Sequence, residues 1–417
     1  MNLYLIAILA ILILGYLLEV SATILELKAL DPQLPAPFAD LHDKNEYARS
    51  QQYTRSSSGF SLVRESVFLV ATLLFILAGG FNWLDLTARA AGFGPIITGI
   101  LFIGLLLLLS SLLSLPFSLY STFVIEERFG LNRTSLRTFC LDILRTLLLA
   151  VLLGAPLLAF ILWFFEEGGS LAWFYCWLFV VTVTILMQYL APVLIMPLFN
   201  TFTPLAQGEL QATITTYAKQ EKFAMRGIYT MDGSKRSTRL NAFFTGFGRF
   251  RRIVFFDTLI EKLNTSEIVA VLAHEMGHYK KRHVFRLMTA SILQTGLLFF
   301  LLSLLLGNKG LFAAFAMDHL SVYASLVFFG FLYHPVSILL GIGFNWLSRR
   351  YEYEADEYAA ASTGDPGSLI SGLKKLSLAN LSNLTPHPFN VLLHFSHPPV
   401  LQRISALDHH REEPGNH

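Results

Sequence analysis

Apolar residues dominate this chain in seven long runs, and polar residues collect between them. A helix that crosses a bilayer needs about 20 mostly apolar residues. Runs of this length lie near residues 3–24, 64–84, 98–124, 143–165, 171–196, 284–306 and 321–346. Pro116 and Pro192 interrupt the third and fifth runs, where neighbouring helices must satisfy the freed carbonyl groups. The pattern therefore predicts about seven transmembrane helices.

The polar stretches after the fifth and seventh runs are long enough to fold outside the membrane. They divide the chain into a five-span membrane part, an extramembrane part, two further spans and a second extramembrane part. The predicted bounds are residues 1–196, 197–283, 284–346 and 347–417.

The first extramembrane part changes its periodicity along its length. Apolar positions spaced for one helical face predict an amphipathic helix from about Pro204 to Phe223. Three strand-like runs follow, separated by turn residues. These are Gly227–Met231, Leu240–Phe247 and Arg252–Phe256. We therefore expect an all-α membrane protein with a small α+β extramembrane portion.

Candidate metal ligands lie in a predicted helix over residues 264–283, directly before the sixth span. His274 and His278 are four residues apart, so both imidazoles lie on one helical face. Two neutral ring nitrogens at this separation can bind one zinc ion, and Glu275 can act on a water molecule as general base. The HExxH pattern also arises by chance on solvated helices, so the assignment requires a third ligand.

A carboxylate after the seventh span can complete such a site. Two spans separate His278 from SRRYEYEADEYA, residues 348–359, so the chain is back on the same side of the membrane there. Glu352 and Asp356 are one helical turn apart; Glu352 is the simplest ligand, and Asp356 the acceptor for a ligand imidazole N–H. Glu354 is a competing ligand on a different helical face. Taken alone, the segment also fits a solvated acidic helix end.

Composition narrows the class of protein. The chain is 54% hydrophobic and 14% charged, whereas a soluble domain carries about 25% charged residues. A net charge of +2 is too small to indicate a nucleic-acid-binding protein. Cys140 and Cys176 are the only cysteines, so a metal site must use histidine and carboxylate ligands.

Lysine and arginine alternate between the loops. They are numerous after the first, third and fifth spans, whereas the loops after the second, fourth and sixth carry at most one each. By the positive-inside rule the N-terminus lies outside, and both extramembrane parts face the cytoplasm. The short loops and compact chain also indicate a bacterial protein of the inner membrane.

Several motifs accompany the candidate ligands. They are AHEMGH, SRRYEYEAD, LNAFFTGF, HFSHPPVLQRISAL, YSTFVIEERFGLNRT and MPLFNTFTPL. Together they extend from about Leu115 to Leu407 and resemble the type I CAAX prenyl protease family of integral-membrane zinc metalloendopeptidases. The resemblance implies seven helices enclosing a large water-filled chamber, with a small, zincin-like α+β catalytic portion at its cytoplasmic end.

The same resemblance implies roles for the metal-site positions. His274, His278 and Glu352 match residues that hold one zinc ion per chain. Glu275 matches the general base, and Asp356 matches a residue that orients a ligand.

Four further positions match residues that contact substrate. His397 and Arg403 resemble a catalytic pair that binds and polarises the substrate carbonyl, and Asn241 and Ala242 resemble an edge that pairs with substrate backbone. Without the resemblance, Asn241 fits a strand end, His397 a helix start, and Arg403 a solvated helix face.

Three functions compete at this stage. The first is a zinc endopeptidase in the lipid bilayer that cuts near the C-terminus of prenylated CAAX proteins. The second uses the same chemistry on unfolded or membrane-stalled proteins. The third is a polytopic transporter, which the position of the polar residues at the membrane edge argues against, because transporter sites usually lie at the midplane.

Overall fold

The structure is a computed structural model that describes residues 2–39, 44–245 and 251–412. Most of these residues are helical. The helices are α1 Leu3–Ala29, α2 Lys44–Leu77, α3 Gly80–Arg89, α4 Pro95–Tyr120, α5 Leu136–Leu149, α6 Ala155–Glu167, α7 Ala172–Leu190, α8 Met196–Phe199, α9 Glu209–Gln220, α10 Asp257–Lys262, α11 Thr265–Lys280, α12 His283–Ser303, α13 Lys309–Ala314, α14 Val322–Thr363, α15 Pro366–Ala379, α16 Pro388–His394 and α17 Val400–Glu412. The strands are β1 Phe202–Pro204, β2 Gly227–Met231, β3 Ala242–Thr245 and β4 Arg252–Phe256.

Seven helical segments are long and apolar enough to cross a membrane, which confirms the predicted number. Three of them continue through π-helical turns, at Ser121–Glu126, Ala150–Gly154 and Ala191–Ile195. Each span contacts the next one in chain order, and α14 contacts α1, so the seven close a ring. At most 17% of the apolar window of any span is buried, as expected when helices line an internal chamber.

The predicted end of the second span at residue 84 is wrong, and the helix that contains the span begins well before residue 64. Helix α2 begins at Lys44 and stops at Leu77, and the residues expected to finish the span belong to a separate helix, α3. Gly79 separates the two helices with a φ of 72°, a conformation that suits glycine. The apolar run therefore continues through a turn, and hydropathy alone does not register that break.

Polar contacts tie the loops together at each end of the ring. At one end, Asn2 donates to the backbone oxygen of Gly310, and Asn308 donates to the Tyr4 hydroxyl. At the other end, Arg239 pairs with Glu126, and Asn383 donates to Glu26. The chain thus alternates between the two ends, as seven spans require.

The four strands form a mixed sheet in the order β1-β2-β4-β3. Strands β2 and β4 are parallel and have the predicted bounds, whereas β3 is antiparallel to β4. Prediction extended β3 to Phe247, but residues 246–250 lie outside the described residues. Strand β1 was not predicted, and the helix expected from Pro204 begins at Glu209. Strand β3 is an edge of this sheet.

Helix α11 packs between the sheet, α14 and α15. Its buried Ile268, Leu272 and Met276 belong to the apolar core of this end of the molecule. Opposite this core, Gly277 lies against α14, and a Cβ atom there would be 3.0 Å from the Cα atom of Ala355. The two helices that carry the predicted ligands are therefore in direct contact.

Candidate active site

A capping box fixes the start of α11. The Asn264 side chain accepts from the backbone N–H of Glu267, and the Glu267 carboxylate accepts from the backbone N–H of Asn264, both at 2.9 Å. Burial alone would raise the pKa of Glu267, but hydrogen bonds from Lys375, Ser371 and Asn264 lower it. The helix therefore starts at a defined residue, which sets the face on which its later residues lie.

The predicted ligands meet between α11 and α14. His274 Nε2 and His278 Nε2 are 3.2 Å apart. Glu352 Oε1 lies 3.2 Å from His278 Nε2, and Glu352 Oε2 lies 3.5 Å from His274 Nε2. One ligand atom from each of these residues falls within 4.8 Å of the others.

This donor set fits a divalent cation. Both histidines direct Nε2 toward the same point, and a neutral imidazole has only one N–H to offer. Glu352 Oε2 is buried and makes no hydrogen bond among the described residues, although Arg403 Nη1 lies 3.2 Å from it as an ion-pair partner. A cation bound by two imidazole nitrogens and one carboxylate satisfies all three groups, and zinc prefers such ligands.

Asp356, the predicted partner of a ligand imidazole, lies behind His274. Its Oδ1 is 2.8 Å from His274 Nδ1. Burial alone would lower the pKa of His274, but hydrogen bonds with Asp356 and Glu352 raise it to about 9. The Asp356 carboxylate therefore fixes the orientation of the His274 ring through Nδ1 and leaves Nε2 directed at His278 and Glu352.

Arg403 lies on the buried side of the ligands. Its Nε and Nη2 donate to the two Asp356 oxygens at 2.8 and 2.6 Å, and Nη1 is 3.2 Å from Glu352 Oε2. Arg403 is 8% exposed. The guanidinium group thus fixes two acidic residues of α14 from one position on α17.

His397 lies on the open side of the same carboxylate. Its Nε2 is 3.4 Å from Glu352 Oε1, and its side chain is 64% exposed. The two residues predicted as a pair, His397 and Arg403, thus approach Glu352 from its open and buried sides respectively. Only His397 is open to an incoming molecule.

Glu275 follows His274 on α11 and is partly buried. Burial raises the pKa of its carboxyl group, while His274 and His278 act in the opposite direction. A carboxylate whose pKa is raised toward the working pH can both take up and release a proton, which is the requirement for a general base.

Asn241 and Ala242 lie at the start of the edge strand β3, which contacts α11. The Asn241 side chain accepts from the backbone N–H of Ala242 at 2.9 Å, and the Asn241 carbonyl accepts from Phe256 at 3.0 Å. Strand β4 occupies one side of β3. The opposite side of β3 suits the addition of an extended peptide.

Glu354, the competing ligand in the sequence, is not part of the ligand cluster. Its Oε2 lies 3.1 Å from His283 Nε2, and its Oε1 lies 3.3 Å from Arg350. His283 itself is a site residue that sequence reasoning missed. It is five residues after His278, a spacing that does not place two side chains on one helical face.

Two family models match the chain, and together they cover most of it. The model described as CAAX prenyl protease N-terminal, five membrane helices, matches residues 24–201. The model of peptidase family M48 matches residues 204–411. The boundary between the two models falls between residues 201 and 204, after the fifth span.

Curated relatives match over nearly the whole chain. The CAAX prenyl protease 1 homolog of Oryza sativa subsp. japonica is 34% identical over 414 residues, covering 97% of this chain and 97% of the relative. CAAX prenyl protease 1 of Saccharomyces cerevisiae is 33% identical over 415 residues, covering 93% and 91%.

A solved structure matches the fold. The crystal structure of S. mikatae Ste24p superposes with a TM-score of 0.92 at 32% identity, covering 97% of this chain and 99% of that chain. The two proteins therefore have the same arrangement of the helical ring and the extramembrane parts.

Proposed function

The chain belongs to the CAAX prenyl protease 1 family of M48 metallopeptidases, and from this premise we propose that it is a zinc endopeptidase of prenylated CAAX-type proteins. In this proposal it hydrolyses peptide bonds near the C-terminus of the substrate. The observation that carries the proposal is the cluster of His274, His278 and Glu352 at one end of a membrane-spanning ring. The names of the relatives supply the substrate class.

Each residue of the cluster has a defined part. His274 and His278 would hold zinc through Nε2, and Glu352 through a carboxylate oxygen. Zinc, when bound, supplies a Lewis acid that polarises a carbonyl and acidifies water. Glu275 takes the proton of the attacking water and delivers it to the leaving amine nitrogen.

Substrate would be held on the open side of this cluster. Among the described residues strand β3, from Ala242, pairs only with β4, and peptide backbone could form main-chain hydrogen bonds along its other edge. His397 is exposed on that side and can donate to the carbonyl oxygen as negative charge develops there. Arg403 adds positive charge from the buried side, where it pairs with Glu352 and Asp356.

The arrangement also suggests where the reaction takes place. Lysine and arginine concentrate in the loops at the catalytic end, and the positive-inside rule assigns that end to the cytoplasm. The N-terminus then lies outside, and a bacterial inner membrane is the proposed location.

A cleavage assay on Glu275→Gln tests the chemistry. The variant removes the proton acceptor and retains the ligands, so we expect cleavage of a farnesylated CAAX peptide to fall about 10²–10⁴-fold while zinc remains stoichiometric by metal analysis. Glu261→Gln, at an exposed carboxylate of α10, is the matched control and should keep parental activity. Parental activity in Glu275→Gln rules out the mechanism.

Matched peptides test the substrate class. Farnesylated and unmodified versions of one CAAX peptide are compared by rate and by mass-spectrometric mapping of the products. Faster cleavage of the farnesylated peptide supports the proposal. Equal rates would overturn the prenyl specificity and favour a broader role on unfolded or stalled proteins.

A further inference from the structure

His278 is held at both of its ring nitrogens. Its Nε2 faces His274 and Glu352 in the ligand cluster. Its Nδ1 lies on the other side of the ring, 3.1 Å from His283 Nδ1. His283 is only 1% exposed, so this contact is shielded from water.

The contact continues to a carboxylate. His283 Nε2 lies 3.1 Å from Glu354 Oε2. The His283 ring also stacks on Tyr351, with centroids 4.1 Å apart and planes 4° apart. Its orientation is thus fixed by a stacked ring on its face and by polar partners at both nitrogens.

A local turn makes this geometry possible. In a continuous helix, a residue five positions after His278 would lie about 140° around the axis. Arg282, however, has a φ of 59°, in the left-handed region, and it separates α11 from α12. The turn ends one helix and starts the next, and it returns His283 to the ring of His278.

The chemistry of imidazole assigns the protons along this chain. A neutral ring has one N–H and one lone pair. If His278 Nε2 gives its lone pair to a metal, its Nδ1 carries the proton and must donate to His283 Nδ1. His283 Nε2 then carries the second proton and donates to Glu354. Each ring nitrogen of His278 and His283 then has a partner, and the series of hydrogen bonds ends at the Glu354 carboxylate.

We propose that His283 and Glu354 are positioning residues for the metal site, which act as a His278–His283–Glu354 hydrogen-bond relay. The relay fixes the His278 tautomer and ring orientation, and the carboxylate strengthens the ligand nitrogen through the intervening ring. For the other histidine, His274, the corresponding partner is Asp356, whose Oδ1 lies 2.8 Å from His274 Nδ1 without an intervening ring. This inference rests on the proposed metal centre, and it extends that centre to two residues outside the ligand set.

Metal affinity of purified variants tests the relay without reference to activity. His283→Phe retains a ring to stack on Tyr351 and removes both nitrogens, so zinc should bind about 10- to 100-fold more weakly in competition with a chelator. His283→Asn places an acceptor oxygen near the position of ring Nδ1. It should recover most of this loss, because His278 regains an acceptor.

Two carboxylates on α14 provide a matched pair. Glu354→Gln keeps an acceptor for His283 and removes the negative charge, so zinc affinity should fall less than in His283→Phe. Glu357→Gln, three residues along and exposed, should leave it unchanged. In cobalt-substituted protein, the visible absorption bands should shift in Glu354→Gln and stay in place in Glu357→Gln.

The outcomes separate the relay from the metal centre. If the parent binds one zinc and folded His283→Phe binds it equally well, the relay is overturned and the centre stands. If His283→Asn loses as much affinity as His283→Phe, an acceptor for His278 Nδ1 makes no difference and the relay is again overturned. If the parent itself binds no zinc, the proposed function fails together with this inference.

Discussion

Arg403 and His397 both contact Glu352, but they differ in how many other contacts of the site they support. Arg403 is buried and contacts both Asp356 and Glu352, whereas His397 contacts Glu352 from the exposed side. Removing one partner of a buried ion pair leaves an uncompensated charge in the interior. We therefore expect Arg403 to stabilise the fold and to hold Glu352 and Asp356 in place. We expect no contribution to the stability of the fold from the exposed His397.

Arg403→Lys should separate these contributions. A lysine cannot span both Asp356 oxygens as the guanidinium fork does, so the free energy of unfolding should fall by about 1.5–3 kcal/mol, and zinc affinity should fall with it. The thermal midpoint and chelator competition measure the two effects. His397→Ala should lower the cleavage rate at an unchanged midpoint. A parental midpoint in Arg403→Lys would contradict this account of its role.

Sequence spacing predicted the ligands because they share helical faces. His274 with His278, and Glu352 with Asp356, are four residues apart, and a regular helix converts that spacing into a common direction. In the structure His274, His278 and Glu352 converge, and Asp356 lies behind His274; their roles as ligands and ligand partner stay predictions. His283 reaches the site only through the left-handed turn at Arg282, and single-sequence periodicity cannot reveal such a turn.

At the scale of elements, the contact between α11 and α14 sets the distance between the histidines and Glu352. Gly277 lies between the two helices, where a Cβ atom would meet Ala355 Cα at 3.0 Å and Ala355 O at 3.1 Å. A larger residue must push the helices apart. Such a displacement moves Glu352 away from both imidazoles.

Gly277→Val should therefore weaken the site without altering any ligand. Overpacking a tight contact lowers the free energy of unfolding by about 1–3 kcal/mol, and zinc affinity should decrease because the ligands separate. Thermal unfolding and metal competition provide the measurements. Gly343→Ala, on α14 where nothing lies within 4 Å of the added atom, is the control and should behave like the parent. Parental zinc affinity in Gly277→Val would show that the contact does not set the ligand distance.

Element prediction succeeded where the chain follows one pattern at a time. The bounds of β2 and β4 and the number of spans emerge from hydropathy and strand composition. It failed where two elements share one apolar run, as at the Gly79 turn between α2 and α3. It also failed at β1, which has three residues, too few to establish an alternating pattern.

At the scale of the whole molecule, a buried polar contact joins α3 to α14 at the end of the ring opposite the site. The Tyr323 hydroxyl donates to Asp85, and Arg89 Nε donates to the other Asp85 oxygen at 2.8 Å. Asp85 is fully buried. Nearby, Asn82 donates to Asp318 at 2.8 Å. Helix α3 is thereby attached to the start of α14.

Tyr323→Phe should weaken the contact between α3 and α14, because it removes the hydroxyl that donates to Asp85. Asp85 would lose one of its two partners in the interior, and the free energy of unfolding should fall by about 1–3 kcal/mol, read from the thermal midpoint. Tyr333→Phe is the matched control on the same helix. The Tyr333 hydroxyl is buried without a hydrogen-bond partner in the described part of the chain, so its removal should not lower the midpoint. Equal effects from both variants would exclude a special role for the Asp85 contact.

Helix α14 runs without interruption for 42 residues, from the contact with Asp85 to Glu352 and Asp356. At 1.5 Å per residue it is about 63 Å long, twice the hydrocarbon thickness of about 30 Å. The proposed third ligand, Glu352, thus lies on a helix that is held at the opposite end of the molecule, while the two histidines lie on α11. One straight element therefore joins the two surfaces of the molecule, and a displacement of α14 at the Asp85 contact would be carried along the helix to the Glu352 carboxylate.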